Sequence, residues 1–490
     1  MTGGENVHDQ QAATASAPAT ATPPSKAGFG TSVLFGFGSV AFGIKDNGFQ
    51  TFLLLFYNQV VGLPGPLVGL AILIALFLDA FIDPIVGQIS DNLRTPWGRR
   101  HPFMYASAIP LGLSYVLLWN PPHASNEVLF FYLLFVSIVV RACIALYEAP
   151  SAALAPELTT DYQERTLLLG MRVFFAWLGG LAMYVLAYTV LLGVDQTHPA
   201  GVAGGYQSYG LVASVAMVCS ILISALGTHG RIRTFTVPPQ RAKSQRNIFK
   251  EVSAALSHRS FLAVLASNFF SAAATGVAFS MSIYFYTYFW VLDRQQIATF
   301  GLVNAASALV AVPIARYFSR RNKRRAIILL FLIGLAISVA PMAARLAGAF
   351  PENGAKTLFP LLTGFSFVGL ALMIAASMIG YSMIADVVED NQLKSGLRSE
   401  GLFFAANSFV QKAVSGVGVF LSGVILASVH FPQTTATQAG AHIAPDIVRN
   451  LALVYLPTVL VLYIVAALCL NGYRITREKH EENLRTLRGV

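Results

Sequence analysis

The sequence predicts an all-α membrane protein with about twelve transmembrane helices in two six-helix halves. The chain has 490 residues, of which 55% are hydrophobic and 11% are charged, whereas about 25% of the residues in a soluble protein are charged. Apolar stretches recur along the whole chain, and each reaches the roughly 20 residues that cross a bilayer as a helix. A basic segment near the midpoint separates the two halves, which is typical of membrane proteins built from an internal repeat.

The first half is expected to occupy residues 29–229. It follows a tail at 1–28 that contains few large apolar residues and no signal peptide, and we expect this tail to be disordered and cytoplasmic. The first span is predicted at 29–61, and the second has its core at 76–91. The remaining spans of this half are predicted at 101–119, at 128–154, after Arg165 and at 206–226.

The second half is expected at 261–473, between a basic cytoplasmic linker at 230–260 and a basic tail at 474–490. Lys and Arg concentrate in these segments and in the loops that join alternate spans, which places both termini in the cytoplasm by the positive-inside rule. The net charge of +10 therefore indicates topology and not a nucleic-acid partner. We expect a multi-pass protein of a plasma membrane, the inner membrane of a bacterium.

Two carboxylates on one predicted helix are the most unusual feature of the sequence. Asp79 and Asp83 are four residues apart in an apolar run, so they share a helical face with Cβ atoms about 5–6 Å apart. A carboxylate at the centre of a membrane helix costs roughly 2.5–3.5 kcal/mol on insertion scales. Pro84 also leaves the carbonyl of Ala80 without its helical partner. The pattern predicts a site for a small cation.

Six further charged residues fall inside predicted spans, and two interpretations are open. Intramembrane charges either pair as salt bridges between helices or line a polar pathway. Because the acids cluster on spans one, two and four, we favour a polar central cavity. The six residues are Lys45, Asp46, Arg141, Glu148, Arg172 and Lys412.

Other classes of membrane protein find little support in the sequence. Cys143, Cys219 and Cys469 lie in apolar segments at unrelated spacings, which is not a disulfide or metal pattern. No nucleophile with a base, metal-ligand cluster or phosphate loop indicates an integral membrane enzyme. A receptor or scaffold would not need acids at membrane depth. We therefore expect a monomer that lies in the lipid bilayer and is neither an enzyme nor dependent on a cofactor.

Four segments, read in order from span one to span eleven, carry a specific signature. They are GFGSVAFGIKD at 36–46, LDAFIDPIVGQISDNLRTPWGRRHPFM at 78–104, LYEAPSAALAPEL at 146–158 and MIADVVEDNQLKSGLRSEG at 383–401. These segments resemble the glycoside-pentoside-hexuronide:cation symporters, the branch of the major facilitator superfamily that includes melibiose permease. The resemblance implies the major facilitator fold and cation-coupled uptake of a sugar-like solute by alternating access.

The resemblance also implies roles for the charged residues. Asp79 and Asp83 correspond to the family's cation-site acids, and Lys412 matches a lysine that lies near the cation. The positions of the family's sugar-hydroxyl ligands are occupied by Lys45, Asp46, Glu148 and Arg172.

Departures from the family pattern concern the coupling ion and the solute. Ile82 and Ala145 stand where sodium-using members have neutral oxygen ligands, whereas two neighbouring carboxylates can hold a shared proton. We therefore expect coupling to H+, with Na+ as the alternative. Ala152 and Ser377 stand where aromatic residues enclose the sugar. An anionic or amphipathic solute, such as a uronide, a sulfonated sugar or a lysolipid, is therefore the alternative to a sugar or glycoside.

The family resemblance implies no role for Arg141. It lies two turns from Glu148 on the same helical face, so two roles remain open. It either neutralises Glu148 or binds an anionic group of the solute, because a planar guanidinium forks onto planar anions.

Gating is expected near the cytoplasmic side, where charged residues follow span two and end span ten. The alternative is that the span-ten acids are solvated or pair with the nearby arginine. The gating candidates are Arg99, Arg100, Asp386, Glu389 and Arg398.

Overall fold

The structure is a computed structural model that describes residues 28–159, 161–192, 199–231, 258–320, 322–395, 400–433 and 443–488. The described residues form helices joined by turns and short extended segments. Most of the expected tail and most of the expected linker lie outside these ranges, as does the gating candidate Arg398.

The first half begins with a helical stretch that is broken several times. Helices α1 (Phe29–Phe37) and α2 (Val40–Asn47) are separated at Gly38 and Ser39, and π-helical turns at Gly48–Phe52 and Phe56–Val61 follow. A Cβ on Gly43 would lie 1.8 Å from the carbonyl oxygen of Ala176, so only glycine permits this close contact between helices. The longer helices of this half are α3 (Gly65–Asn92), α4 (His101–Leu118), α5 (Asn126–Leu158), α6 (Tyr162–Leu186) and α7 (Pro199–His229).

The second half repeats the pattern of long apolar helices. The helix that begins at Arg294 starts at a capping box, in which the Asp293 side chain accepts from the Gln296 amide while the Gln296 side chain accepts from the Asp293 amide. The helices are α8 (Arg259–Tyr284), α9 (Arg294–Ser319), α10 (Lys323–Leu346), α11 (Leu358–Ser395), α12 (Glu400–Ser428), α13 (Pro445–Cys469) and α14 (Arg477–Arg488).

Ten helices in the described part of the chain are long and apolar enough to cross a membrane. Helix α4 and the broken stretch from Phe29 to Val61 are helical but are not among the ten. The expectation of an all-α, multi-pass membrane protein is confirmed to this extent. The second predicted span is longer than its predicted core, because α3 begins at Gly65 and continues through Pro84 to Asn92.

Helices α1 and α2 pack on α6, and α3 and α4 pack on α5. In the second half α8 packs on α12 and α13, while α11 packs on α9 and α10. The closest contact between the two groups joins α3 to α12. A Cβ on Gly423 would lie 2.2 Å from the Gly65 carbonyl oxygen, and one on Gly69 would lie 2.6 Å from the Cα of Phe420. Small residues allow this approach of helix backbones, as is common between membrane helices.

Polar contacts beside these glycines also join the two groups. Gln59 Nε2 donates to the carbonyl of Pro432 at 3.0 Å, and Tyr284 Oη donates to Asn58 Oδ1 at 3.1 Å. The end of the molecule at which α3 begins is therefore closed. We call it the closed end.

The opposite end carries helix α14, which packs on the last turns of α11. Asp390 contacts His258 Nε2 at 2.8 Å and accepts from Asn483 Nδ2 at 3.2 Å. Asp386 accepts from Lys323 Nζ at 2.7 Å and from Tyr473 Oη at 3.1 Å. Burial, with the Asp386 carboxylate beside it, raises the pKa of Tyr473 well above its ordinary value, so the phenol stays a donor.

We predict that Gly423→Leu separates α3 from α12 at the closed end. The new side chain would meet backbone of α3, and overpacking of this kind costs about 1–3 kcal/mol where the helices stay together. The distance between spin labels on Val61 and Ala427 should therefore increase and broaden. Gly364→Leu is the matched control, since a Cβ there meets no atom within 4 Å. An unchanged distance in folded Gly423→Leu protein would refute close glycine packing at this end.

Candidate functional site

A cavity of about 440 Å³ lies between the two groups of helices, a size within the usual range of small-molecule sites. Its charged lining residues, Asp46 and Arg141, come from the first half, together with Phe49, Gln50 and Trp177. The second half contributes uncharged polar side chains, namely Ser267, Asn268, Ser271, Thr275, Ser377, Tyr381, Gln411 and Ser415. The cavity is therefore charged on one side and neutral but polar on the other.

The cavity extends away from the closed end. Its lining reaches Ile327, in the first turn of α10, and Leu470, directly after α13. The first part of α3 is largely buried, whereas Phe81 and Ile85 in its second part are exposed. The two groups of helices are thus in contact at the closed end and leave a cavity beyond it.

Asp79 and Arg141 form an enclosed ion pair beside the cavity. Arg141 Nη1 donates to Asp79 Oδ2 at 3.1 Å, and only 3% and 6% of the two side chains are exposed. The guanidinium also lies over the ring of Phe49, 4.5 Å from its centroid. The Arg141 Nε atom is buried and has no hydrogen-bond partner among the described residues. Arg141 therefore pairs with Asp79 and not with Glu148, which sequence spacing had suggested.

Asp83 pairs with a residue of the other half. Lys412 Nζ of α12 donates to Asp83 Oδ2 of α3, so this ion pair joins the two groups of helices. Both side chains are about one-third exposed. The two acids predicted to bind the coupling ion thus each have their own cation in this state, Asp79 within its half and Asp83 across the two halves.

Asp46 is the acid that lines the cavity. Its Oδ2 accepts from Gln50 Nε2 at 2.7 Å, and its Oδ1 lies 3.7 Å from Lys45 Nζ. Lys45 is buried, with its ammonium 4.5 Å from the centroid of the Phe42 ring. Because 42% of the Asp46 side chain is exposed, its carboxylate can accept hydrogen bonds from a bound molecule.

Glu148 and Arg172 form a separate pair outside the lining of the cavity. Arg172 Nη2 donates to Glu148 Oε1 at 2.5 Å, and Nη1 donates to Ser151 Oγ at 2.8 Å. The second oxygen of Glu148 has no hydrogen-bond partner among the described residues. Of the five predicted solute ligands, the structure therefore brings Asp46 and Arg141 to the cavity and links Glu148 to Arg172.

The gating candidates after span two contact residues of their own half. Arg99 and Arg100 both donate through Nε to Glu157 Oε1, at 2.9 and 3.2 Å, at the end of α5. Arg100 also donates to Ser90 Oγ at 2.6 Å and to Asp91 on α3. These bonds hold the ends of α3 and α5 together.

The gating candidates of α11, Asp386 and Glu389, form a cluster with His480 of α14. Ligand atoms of Asp386, Glu389 and His480 lie within 4.8 Å of one another. The ammonium of Lys323 already neutralises Asp386, and His480 Nδ1 lies 3.2 Å from Glu389 Oε2. The cluster is therefore occupied by the chain's own groups, which favours an ionic link between α10, α11 and α14.

Apart from Ser377, sequence reasoning missed the uncharged polar lining of the second half. Ser267, Ser271 and Thr275 recur every four residues on α8, a spacing that places them on one face. This pattern would have indicated a polar helical face. Asn268 is less predictable because its partner, Asn407 at 2.5 Å, lies far along the chain.

Comparison with known proteins supports the same class. A family model described as MFS/sugar transport protein matches residues 34–477. YagG of Escherichia coli, described as a glycoside/cation symporter, is 25% identical over 459 residues, which cover 92% of this chain and 93% of YagG. A Salmonella typhimurium protein described as a 2,3-dihydroxypropane-1-sulfonate exporter is 24% identical over 462 residues, covering 92% of this chain and 94% of that protein.

The fold is also that of a solved transporter. The inward-open structure of the xylose transporter XylE from E. coli matches with a TM-score of 0.60 at 15% identity, covering 94% of this chain and 99% of XylE. The family match and the symporter relative confirm the resemblance noted in the sequence. The chain belongs to the MFS/sugar transport family of multi-pass membrane transporters and is related within it to glycoside/cation symporters.

Proposed function

We propose that the protein is a secondary active transporter that couples entry of a hydroxylated, sugar-like solute to H+. The observation that carries this proposal is the pair of acids on α3, each bonded to a cation, beside a polar cavity between two groups of helices. Charged groups at membrane depth are costly and usually belong to a solute or ion pathway. The family match supports a sugar-like solute.

The membrane arrangement in this proposal has about twelve spans, formed by two six-helix halves at 29–229 and 261–473. The ten apolar helices, together with α4 and the broken stretch before α3, support this count. Basic loops support cytoplasmic termini in a bacterial inner membrane. With this orientation the closed end faces outward and the cavity extends toward the cytoplasm.

H+ is the coupling ion that the site favours. Na+ would have to compete with the Arg141 guanidinium and the Lys412 ammonium for the two carboxylates. Ile82 and Ala145 add no oxygen ligands to the site. A proton needs only one carboxylate oxygen, and it neutralises the acid in place.

The position of the Asp83–Lys412 pair supports transport by alternating access. This pair joins α3 of one half to α12 of the other, so transfer of the coupled proton to Asp83 would remove an ionic contact between them. A cation can shift a conformational equilibrium only if it interacts differently with the two states. Loss and recovery of an ionic contact between the halves supplies such a difference.

A second candidate is transport of an anionic, hydroxylated solute. The buried Arg141 guanidinium in the cavity lining favours it, because a guanidinium binds planar or tetrahedral anions well. The similarity of this chain to a relative described as a 2,3-dihydroxypropane-1-sulfonate exporter also supports this candidate. This candidate keeps the same coupling site and changes only the charge of the solute.

We predict that addition of a transported sugar or uronide raises the external pH of a suspension of proteoliposomes that contain no solute, in Na+-free buffer. Asp83→Asn should abolish this alkalinisation and concentrative uptake, while exchange of solute down its gradient persists. Asp446→Asn, at an exposed position, is the matched control. Strict dependence on Na+ without proton movement would contradict proton coupling.

We also predict that Asp46→Asn weakens solute binding by roughly 1.5–3 kcal/mol, the usual range for a hydrogen bond to a charged group. Isothermal calorimetry on folded protein in detergent measures this change, again against Asp446→Asn. Affinity equal to that of the unmodified protein would remove Asp46 from the binding site.

A further inference from the structure

The charges in the middle of the molecule balance. The eight charged residues of the predicted spans comprise four cations and four carboxylates, and each cation has a carboxylate partner. An uncompensated charge in a low-dielectric interior is costly. Addition of one proton to this set therefore leaves one positive charge that needs a new partner.

The Asp79–Arg141 pair is the most enclosed of the four ion pairs. Arg141 faces Asp79 through Nη1, while its Nε is buried without a hydrogen-bond partner in the described part of the chain. The same side chain lines the cavity and lies on the ring of Phe49, which fixes its plane. Arg141 thus has one donor committed to Asp79 and another that is unused.

The charged groups around this ion pair determine which residue is left without a partner when Asp79 is protonated. Apart from Asp79 and Arg141, the charged groups that act on the pair are Lys45, Asp46, Asp83 and Lys412. Lys45 is next to Asp46 and Lys412 is bonded to Asp83, so these four groups neutralise one another in pairs. Protonation of Asp79 would therefore leave Arg141 as the cation without a carboxylate.

We propose that protonation of Asp79 turns Arg141 into the binding site for an anionic group of the solute, a carboxylate or a sulfonate. The inference rests on the proposed function and names its solute as a hydroxylated monoanion. The proton binds Asp79 Oδ2, and the Arg141 guanidinium keeps its charge and donates N–H groups to two oxygens of the anion. When the anion leaves, Asp79 loses its proton and the ion pair forms again.

The other lining residues of the cavity can bind the hydroxyl groups of such a solute. Asp46 can accept hydrogen bonds from hydroxyl groups, while Ser271, Thr275 and Gln411 of the second half offer neutral donors and acceptors. Proton and monoanion together carry no net charge, so the central residues are balanced both before and after the two have bound. A neutral sugar would leave Arg141 unbalanced after Asp79 takes up its proton.

Binding of matched probes tests the inference. Calorimetric titrations would compare glucose with glucuronate and with 6-deoxy-6-sulfoglucose. The latter two carry an anionic group at position 6, where glucose has a neutral hydroxyl group. We expect an anionic probe to bind about tenfold to a hundredfold more tightly than glucose, as a charge-assisted bond allows. Arg141→Gln should remove this preference, whereas Arg449→Gln, at an exposed position, should keep it.

Arg141→Gln leaves Asp79 buried without its partner and is at risk of misfolding, so a second variant is included. Asp79→Asn combined with Arg141→Gln removes both charges and preserves neutrality. It should fold and bind glucose and glucuronate with similar affinity. Preference for an anionic probe in this double variant would overturn the inference.

The electrical response of transport separates the inference from the proposed function. Uptake of glucuronate with one proton should respond to a pH gradient but not to a potassium diffusion potential set with valinomycin. Proton-driven uptake that an inside-negative potential accelerates, with glucose bound as tightly as the anions, would overturn the inference and leave the proposed symport intact. Binding and uptake of no probe of either charge would overturn both.

Discussion

Charge balance inside a low-dielectric region is the constraint on which this structure depends. Asp79 and Asp83 would each destabilise α3 in a membrane, yet each has a cation, Arg141 of α5 and Lys412 of α12. The same constraint pairs Glu148 with Arg172 and brings Lys45 near Asp46. Three of these four ion pairs join different helices, so they also fix which helices are neighbours.

The two pairs on α3 differ in what they can do. Asp79 and Arg141 belong to the same half and are nearly inaccessible, which suits a local exchange of one partner for another. Asp83 and Lys412 join the two halves and are partly exposed, which suits a contact that is made in one state and lost in another. The acids are one helical turn apart, so the solute site and the contact between the halves lie close together on α3.

Sequence alone predicted the helical membrane class, the acid pair and the family, because hydropathy, spacing and local motifs are properties of nearby residues. The family resemblance placed Lys412 near the acids, but nothing in the sequence predicted Arg141 as the partner of Asp79. Lys412 lies 329 positions from Asp83 along the chain, and Arg141 lies 62 positions from Asp79. Helical spacing left open whether Arg141 neutralises Glu148 or binds the solute, and its partner in the structure is Asp79 on another helix. Apart from Ser377, the polar lining of the second half was also missed, since Ser and Thr in membrane helices often bond only to the backbone of their own helix.

Infrared difference spectroscopy on the protein in lipid, with and without glucuronate, tests the central claim that solute binding and protonation of Asp79 occur together. The account predicts that glucuronate produces the carbonyl band of a newly protonated carboxyl group, and that this band is absent in Asp79→Asn. The same band in Asp79→Asn, or bound glucuronate without any protonated carboxyl in the unmodified protein, would contradict the account.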